Sequence, residues 1–351
     1  MSYYILPKNI NKLNIEPCSS TNESDVYILY SLLKYYNELK ENINENFIDD
    51  FSNNSFENAI KIIHPYEFIF TKVPGTKLSV SKLKLKTNIF YDLLEICKNL
   101  NIFDEIKLNK ISFLHLTTKY VDTIECFEIF RDGFKDLHCF FDSLDYYKLN
   151  INNKIFDFMF FEIEYSNDEN YFIHFIKTIM NILNNQKNNG ISIIKISHIF
   201  HKPIIDGLYL LSSLFDKVYV CKPSSNNIIL FDKYIVCKNF LSNNTTATKQ
   251  YLKIIFLKFL VFLEKLGDKK IKSLFNFDIP CYFKNKIIDI NLIIGQQQLD
   301  ALEQIITIYK NKNKSNKIEI IKKNSIQKSI IWCEKYKIPC NKFVDKTNTY
   351  I

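Results

Sequence analysis

The chain has 351 residues, 47% of them hydrophobic and 24% charged, which suits a packed globular protein and excludes a collagen-like or disordered one. Six glycines and eight prolines are too few for flexible linkers. The formal charge of +8 rests on abundant lysine, with Arg131 the only arginine, a bias that AT-rich coding explains without any selection for lysine chemistry.

Residues 1–70 read as an N-terminal extension. Asp25–Leu39 (DVYILYSLLKYYNEL) carries apolar residues at helical spacing, and a loop rich in Asn, Glu and Asp follows. Over 71–242 the pattern changes to alternation. Helices are predicted at Ile89–Asn99, Thr123–Arg131, Asn170–Asn185 and Pro203–Phe215. Strands are predicted at Ile111–Leu116, Leu137–Phe141, Ile155–Ile163, Ile191–Ile196, Lys217–Lys222 and Tyr234–Lys238. Short, nearly all-apolar strands separated by helices indicate a sheet covered on both faces, an α/β sandwich. The last two strands lie about ten residues apart with no helix between them, which demands an antiparallel hairpin at the end of a mostly parallel sheet. Among doubly wound folds that ending characterises S-adenosylmethionine-dependent methyltransferases. Residues 243–351 form a basic, mainly helical C-terminal region, with helical patterns at Lys249–Leu266, Gln296–Lys310 and Ser325–Tyr336. From Leu241 onward 20 lysines face 9 acids, about +11, which leaves the first 240 residues near −3. Such a section suits a polyanion such as nucleic acid, or forms a solvated lysine-rich surface.

Nine cysteines, an odd number with no CxxC pair, point to a reducing compartment and away from a structural zinc site. His115, His138, His174, His198 and His201 fall on different elements without paired carboxylate spacing, so core or surface roles are expected and no metal. The most hydrophobic stretch, IIFLKFLVFLEKL from Ile254, is broken by Lys258 and Glu264 and too short to span a bilayer. The opening MSYYILPKNINKL shows no signal pattern, so a soluble protein without a membrane partner is expected.

Ile191–Phe240 (ISIIKISHIFHKPIIDGLYLLSSLFDKVYVCKPSSNNIILFDKYIVCKNF) resembles the second half of FtsJ-type RNA ribose 2′-O-methyltransferases, most closely the cap-modifying branch of large DNA viruses of eukaryotes. HPYEFIF at His64, SVSKLKLKTNIFYDLLEI at Ser79 and SIIWCEKYKIPCN at Ser329 are similar to other parts of the same proteins. The resemblance implies a Rossmann-like sandwich that places the methyl donor at the first strand–turn–helix junction. It also implies a Lys-Asp-Lys-Glu set that draws the proton from a ribose hydroxyl.

Carried over residue by residue, the second family lysine is Lys195. The first falls on Asp92 in Phe90-Tyr91-Asp92, the aspartate on Glu162 and the final glutamate on Asp232. The family's glycine-rich donor junction falls on Thr117, Thr118, Lys119, Tyr120, Val121 and Asp122, with no glycine, and Asp122 reads as a helix cap. Asn226 stands where the family has a loop arginine.

These departures predict bulk in the donor site and non-glycine residues forced to positive φ. A lone Lys195 among three acids would stay charged. The expected function is a catalytically degenerate relative that has lost S-adenosylmethionine binding. It would serve as an RNA- or protein-binding subunit in viral mRNA processing or transcription, in host cytoplasm or virion, with Lys222 and Lys233 as RNA contacts. Two alternatives stand beside it: an active methyltransferase with a rearranged donor site, and a structural virion or complex component. Oligomeric state is not indicated.

Overall fold

In this computed structural model the described residues are 1–22, 25–47, 60–83, 87–104, 106, 110–142, 154–241, 246–310 and 315–341. The chain divides into two units, one of residues 1–34, 103–222 and 230–295, the other of 35–102, 223–229 and 296–351. In chain order the elements begin with β1 (Ser2–Ile5), β2 (Cys18–Ser20), α1 (Tyr30–Phe47), a 3-10 turn (Glu67–Ile69) and α2 (Asn88–Asn99). Next come β3 (Ser112–Leu116), α3 (Tyr120–Phe130), β4 (Leu137–Phe141), β5 (Phe156–Glu162) and α4 (Asp168–Asn185). The remainder are β6 (Gln186–Ile196), α5 (Lys202–Leu214), β7 (Phe215–Lys222), β8 (Lys233–Phe240), α6 (Thr246–Leu266), β9 (Lys270–Ser273), α7 (Cys281–Lys310) and α8 (Ser315–Lys335).

The first unit holds a seven-stranded sheet in the order β4-β3-β5-β6-β8-β7-β1. β4, β3, β5 and β6 run parallel. β8 inserts antiparallel between β6 and β7, the expected hairpin, and β1 adds antiparallel at the β7 edge. After β4 the chain crosses back over β3 to form β5, so strand order reverses at the β3/β5 boundary. In an open α/β sheet that switch point, at the carboxyl ends of the strands, is where ligands bind.

Strand alternation sorts the core. Phe113 and Phe158 face Phe127 of α3, with ring centroids 5.4 and 4.8 Å away, and Phe103 closes that layer. On the opposite face Met159, Phe161, Ile194 and Ile196 share one core with Phe175 and Ile179 of α4 and Ile204 and Leu208 of α5. α4 starts at Asn167, whose side chain accepts the Asn170 amide (2.9 Å), and α5 starts with Pro203 in its first turn, where no N–H is required.

All six predicted strands are present, with ends moved by up to five residues at β6. The short β1, β2 and β9 were not anticipated, and α7 begins at Cys281 rather than Gln296.

In the second unit α2 supplies a buried acidic centre. Glu95 accepts the amides of Ser224 (2.9 Å) and Ser225 (3.3 Å), the Trp332 indole N–H (3.2 Å) and the Tyr336 hydroxyl (3.4 Å). Residues 79–82 pair with 339–341 through Lys82 N to Pro339 O and Asn341 N to Val80 O, both 2.8 Å. Among the described residues no helix is long and apolar enough to cross a membrane.

Candidate functional site

β3 ends at Leu116, and the next residue organises the switch point. Thr117 is buried; its hydroxyl donates to Glu162 Oε2 and accepts the Lys119 amide at 3.0 Å. The hydroxyl closes the turn and α3 starts at once at Tyr120. None of Thr117–Asp122 has positive φ, which corrects the expectation of backbone strain: the turn takes a shape that does not call for glycine. Thr118, Lys119 and Val121 are exposed, and Tyr120 stacks on Phe140 at 4.3 Å. Asp122 lies in the first helical turn, where its charge suits the helix dipole, while Lys119 holds the cap position.

Parallel register sets Glu162, the last residue of β5, opposite Lys195 near the end of β6. Lys195 Nζ lies 2.9 Å from Glu162 Oε1 and 3.8 Å from Asp232 Oδ2. Three of the four sequence-predicted site positions therefore meet at the carboxyl edge, and Thr117 joins them through Glu162. The fourth lies in the other unit. Asp92 belongs to α2 of the second unit, where Ser225 Oγ (2.6 Å) and Asn226 Nδ2 (2.8 Å) donate to its two oxygens. Asn226, at the expected arginine position, is thus part of that unit's packing.

Lys222 and Lys233, the expected RNA contacts, are both buried. Lys222 is buried and donates to the carbonyls of Leu230 (2.7 Å) and Asp232 (2.8 Å). Lys233 is fully buried, its amine has no hydrogen-bond partner among the described residues and lies 5.8 Å from the Phe231 ring, and burial followed by repulsion from Lys222 lowers its pKa to about 7. In the β6–β8 register Lys195 faces Tyr234 and Ile196 faces Lys233, so Lys233 points to the opposite side of the sheet from Lys195.

Two histidines form a relay beneath the junction. Thr123 donates to Tyr120 O (2.8 Å), so its oxygen accepts from His115 Nδ1 at 2.7 Å. His115 Nε2 then accepts from His138 Nδ1 at 3.0 Å. Burial, with the neighbouring His138, lowers the His115 pKa to about 3.

Sequence spacing gave no hint of a second cluster in the first unit, because its members follow different strands. Asp168 opens α4, and His198 and His201 follow β6. His198 Nε2 lies 3.4 Å from Asp168 Oδ1 and His201 Nε2 lies 3.5 Å from Oδ2. The Asp168 carboxyl is held below its usual range: burial alone would raise it, but His198, His201 and Tyr165 together outweigh that. In the second unit, Lys61, Lys72 and Lys322 rim a cavity of about 510 Å³ walled by Phe68, Phe70 and Pro74.

The strand order, with β8 reversed inside a parallel set, defines a methyltransferase-like Rossmann fold. No family model and no curated protein matches the chain. Among solved structures it is similar to a probable spermidine synthase from Corynebacterium glutamicum ATCC 13032, at TM-score 0.30 and 11% identity, over 58% of this chain and 89% of that one. The class rests on the strand order, not on that likeness.

Proposed function

We propose that this methyltransferase-fold protein is a non-catalytic relative of FtsJ-like cap 2′-O-methyltransferases that binds RNA as a subunit of a viral mRNA-processing assembly. The observation that carries the reading is Lys195 held between Glu162 and Asp232, with Glu162 also engaged by Thr117. A lysine that takes a proton from a ribose hydroxyl must be available uncharged, and flanking carboxylates favour its ammonium form. The position of the family's other lysine carries Asp92, which binds Ser225 and Asn226 instead. RNA binding is supported by the three lysines around the 510 Å³ cavity, two of them exposed, with apolar walls able to take a base.

The test is a calorimetric titration of the full chain with S-adenosylmethionine, beside RNA binding measured over a salt series. The reading expects no donor binding at micromolar concentration and an RNA affinity that falls steeply with salt and weakens in Lys61→Ala/Lys322→Ala. Donor binding together with methylation of capped RNA overturns the non-catalytic part; salt-independent or absent RNA binding overturns the rest and favours a structural component. An active enzyme is the second reading, favoured by the convergence of Glu162, Lys195 and Asp232 at the switch point. It requires Lys195→Ala to abolish methyl transfer while leaving RNA binding intact.

A further inference from the structure

We propose that Asp168, His198 and His201 form a binding site for a divalent transition-metal ion of the Zn²⁺ type, separate from Lys195 and its acids. One ligand atom from each residue lies within 4.8 Å of the others. The nitrogen-to-oxygen separations of 3.4 and 3.5 Å are too long for good hydrogen bonds. Neighbouring ligands around a tetrahedral ion with bonds of about 2.0–2.1 Å lie roughly 3.3 Å apart, and each imidazole nitrogen stands at about that distance from its own oxygen of Asp168. Two imidazoles and one carboxylate leave coordination positions for water or a ligand oxygen, the pattern of open sites rather than closed structural ones.

The segment carrying both histidines is fixed at every residue. Tyr171 donates its hydroxyl to His198 O (2.9 Å), Asn291 Nδ2 donates to Ile199 O (2.9 Å), and the amides of Tyr27 (2.9 Å) and Ile28 (3.2 Å) donate to Phe200 O. Val26 bridges to His201. Rings close the space around them: Tyr171 and Tyr165 lie 4.9 and 5.0 Å from His198, and Phe172 lies 5.3 Å from His201. Both histidines are buried, and Nδ1 of each lacks a partner among the described residues. Nε2 of each ring, the nitrogen that faces Asp168, is the one that would meet the ion.

Access comes from the carboxylate side. Asp168 also lines a cleft of about 280 Å³ with Tyr165, Asn167, Glu169, Phe172 and Lys270, so an ion can arrive from solvent while the imidazoles stay packed.

The experiment uses the full chain, stripped with a chelator and titrated with Co²⁺ and Zn²⁺, with cobalt absorption reporting nitrogen and oxygen ligands as opposed to thiolates. The expected result is one ion per chain without a thiolate band, and binding at least about tenfold weaker in Asp168→Asn and in His201→Ala, since losing even an outer-sphere partner has that effect. Asp168 is partly exposed, so Asp168→Asn keeps the fold testable should His201→Ala unfold; circular dichroism checks both. No binding, binding through thiolates only, or binding undiminished in a folded Asp168→Asn protein overturns the proposal.

Discussion

Replacing Lys233 by Met is expected to stabilise the protein. The amine is fully buried with no hydrogen-bond partner among the described residues, only the Phe231 ring at 5.8 Å, and its pKa falls from 10.5 to about 7. The folded-state value lies below the unfolded one, so between about pH 7 and 10.5 the unfolded chain holds a proton that the folded chain has shed, and stability rises with pH across that window. At about 1.4 kcal/mol per pH unit the full difference is roughly 5 kcal/mol below pH 7, of which about 4 remains at pH 7 and about 1.5 at pH 9.5. Relaxation of a real interior trims these figures, and replacing buried charge by packed apolar groups returns 1–4 kcal/mol in practice. Met keeps the length of the stem and removes the ammonium. Urea unfolding of both proteins at pH 7 and 9.5 is the assay: a gain of about 2–4 kcal/mol should appear at pH 7 and shrink at pH 9.5. A variant that is less stable at pH 7, or a gain independent of pH, refutes the reasoning, because it would mean that the amine has a partner or reaches water.

His115→Gln should flatten the acid limb of stability. The His115 pKa is lowered to about 3, so the unfolded chain takes up the proton first as pH falls through 6.5, and by pH 5 roughly 2 kcal/mol is lost in the natural protein but not in the variant. Asp206 runs the other way. Burial raises its pKa to about 6, so its contribution weakens as pH rises from about 4 to 6, and Asp206→Asn should remove that slope in the same urea series. Gly207→Ala should lower the melting temperature, since a methyl there overlaps the Phe175 ring and Ile179; about 1–3 kcal/mol of overpacking exceeds the gain in helix propensity. Glu162→Gln should cost about 1–2 kcal/mol in unfolding experiments, because the 2.9 Å ion pair to Lys195 and the charged acceptor of Thr117 are both lost.

The central strands were legible because each is a short apolar run bounded by polar residues; Leu137–Phe141 matches its predicted ends. The reversed β8 followed from the short link after β7, a constraint of chain length alone. β1 was not legible: Ser-Tyr-Tyr-Ile is four residues long and pairs with β7 more than two hundred residues away. At the site, Lys195, Glu162 and Asp232 were placed by the family resemblance, and the parallel β5–β6 register sets Glu162 opposite Lys195. Sequence order does not reveal that Asp92, grouped with them by the resemblance, sits on α2 of a different unit. The strain expected at Thr117–Asp122 assumed a turn shape that glycine favours, whereas a threonine hydroxyl supplies the closure. His198 and His201 lie three apart, yet their carboxylate comes from the start of a helix some thirty residues earlier, a juxtaposition only the sheet creates.

Because the chain passes between its two units at residues 34, 102, 222, 229 and 295, neither body is a continuous stretch of polypeptide. A cut at 102, 222 or 229 divides both bodies, whereas a cut at 34 divides only the first and a cut at 295 only the second. Separate expression of halves divided at 102, 222 or 229 should yield material unable to refold. The two bodies are therefore expected to be inherited, made and lost together.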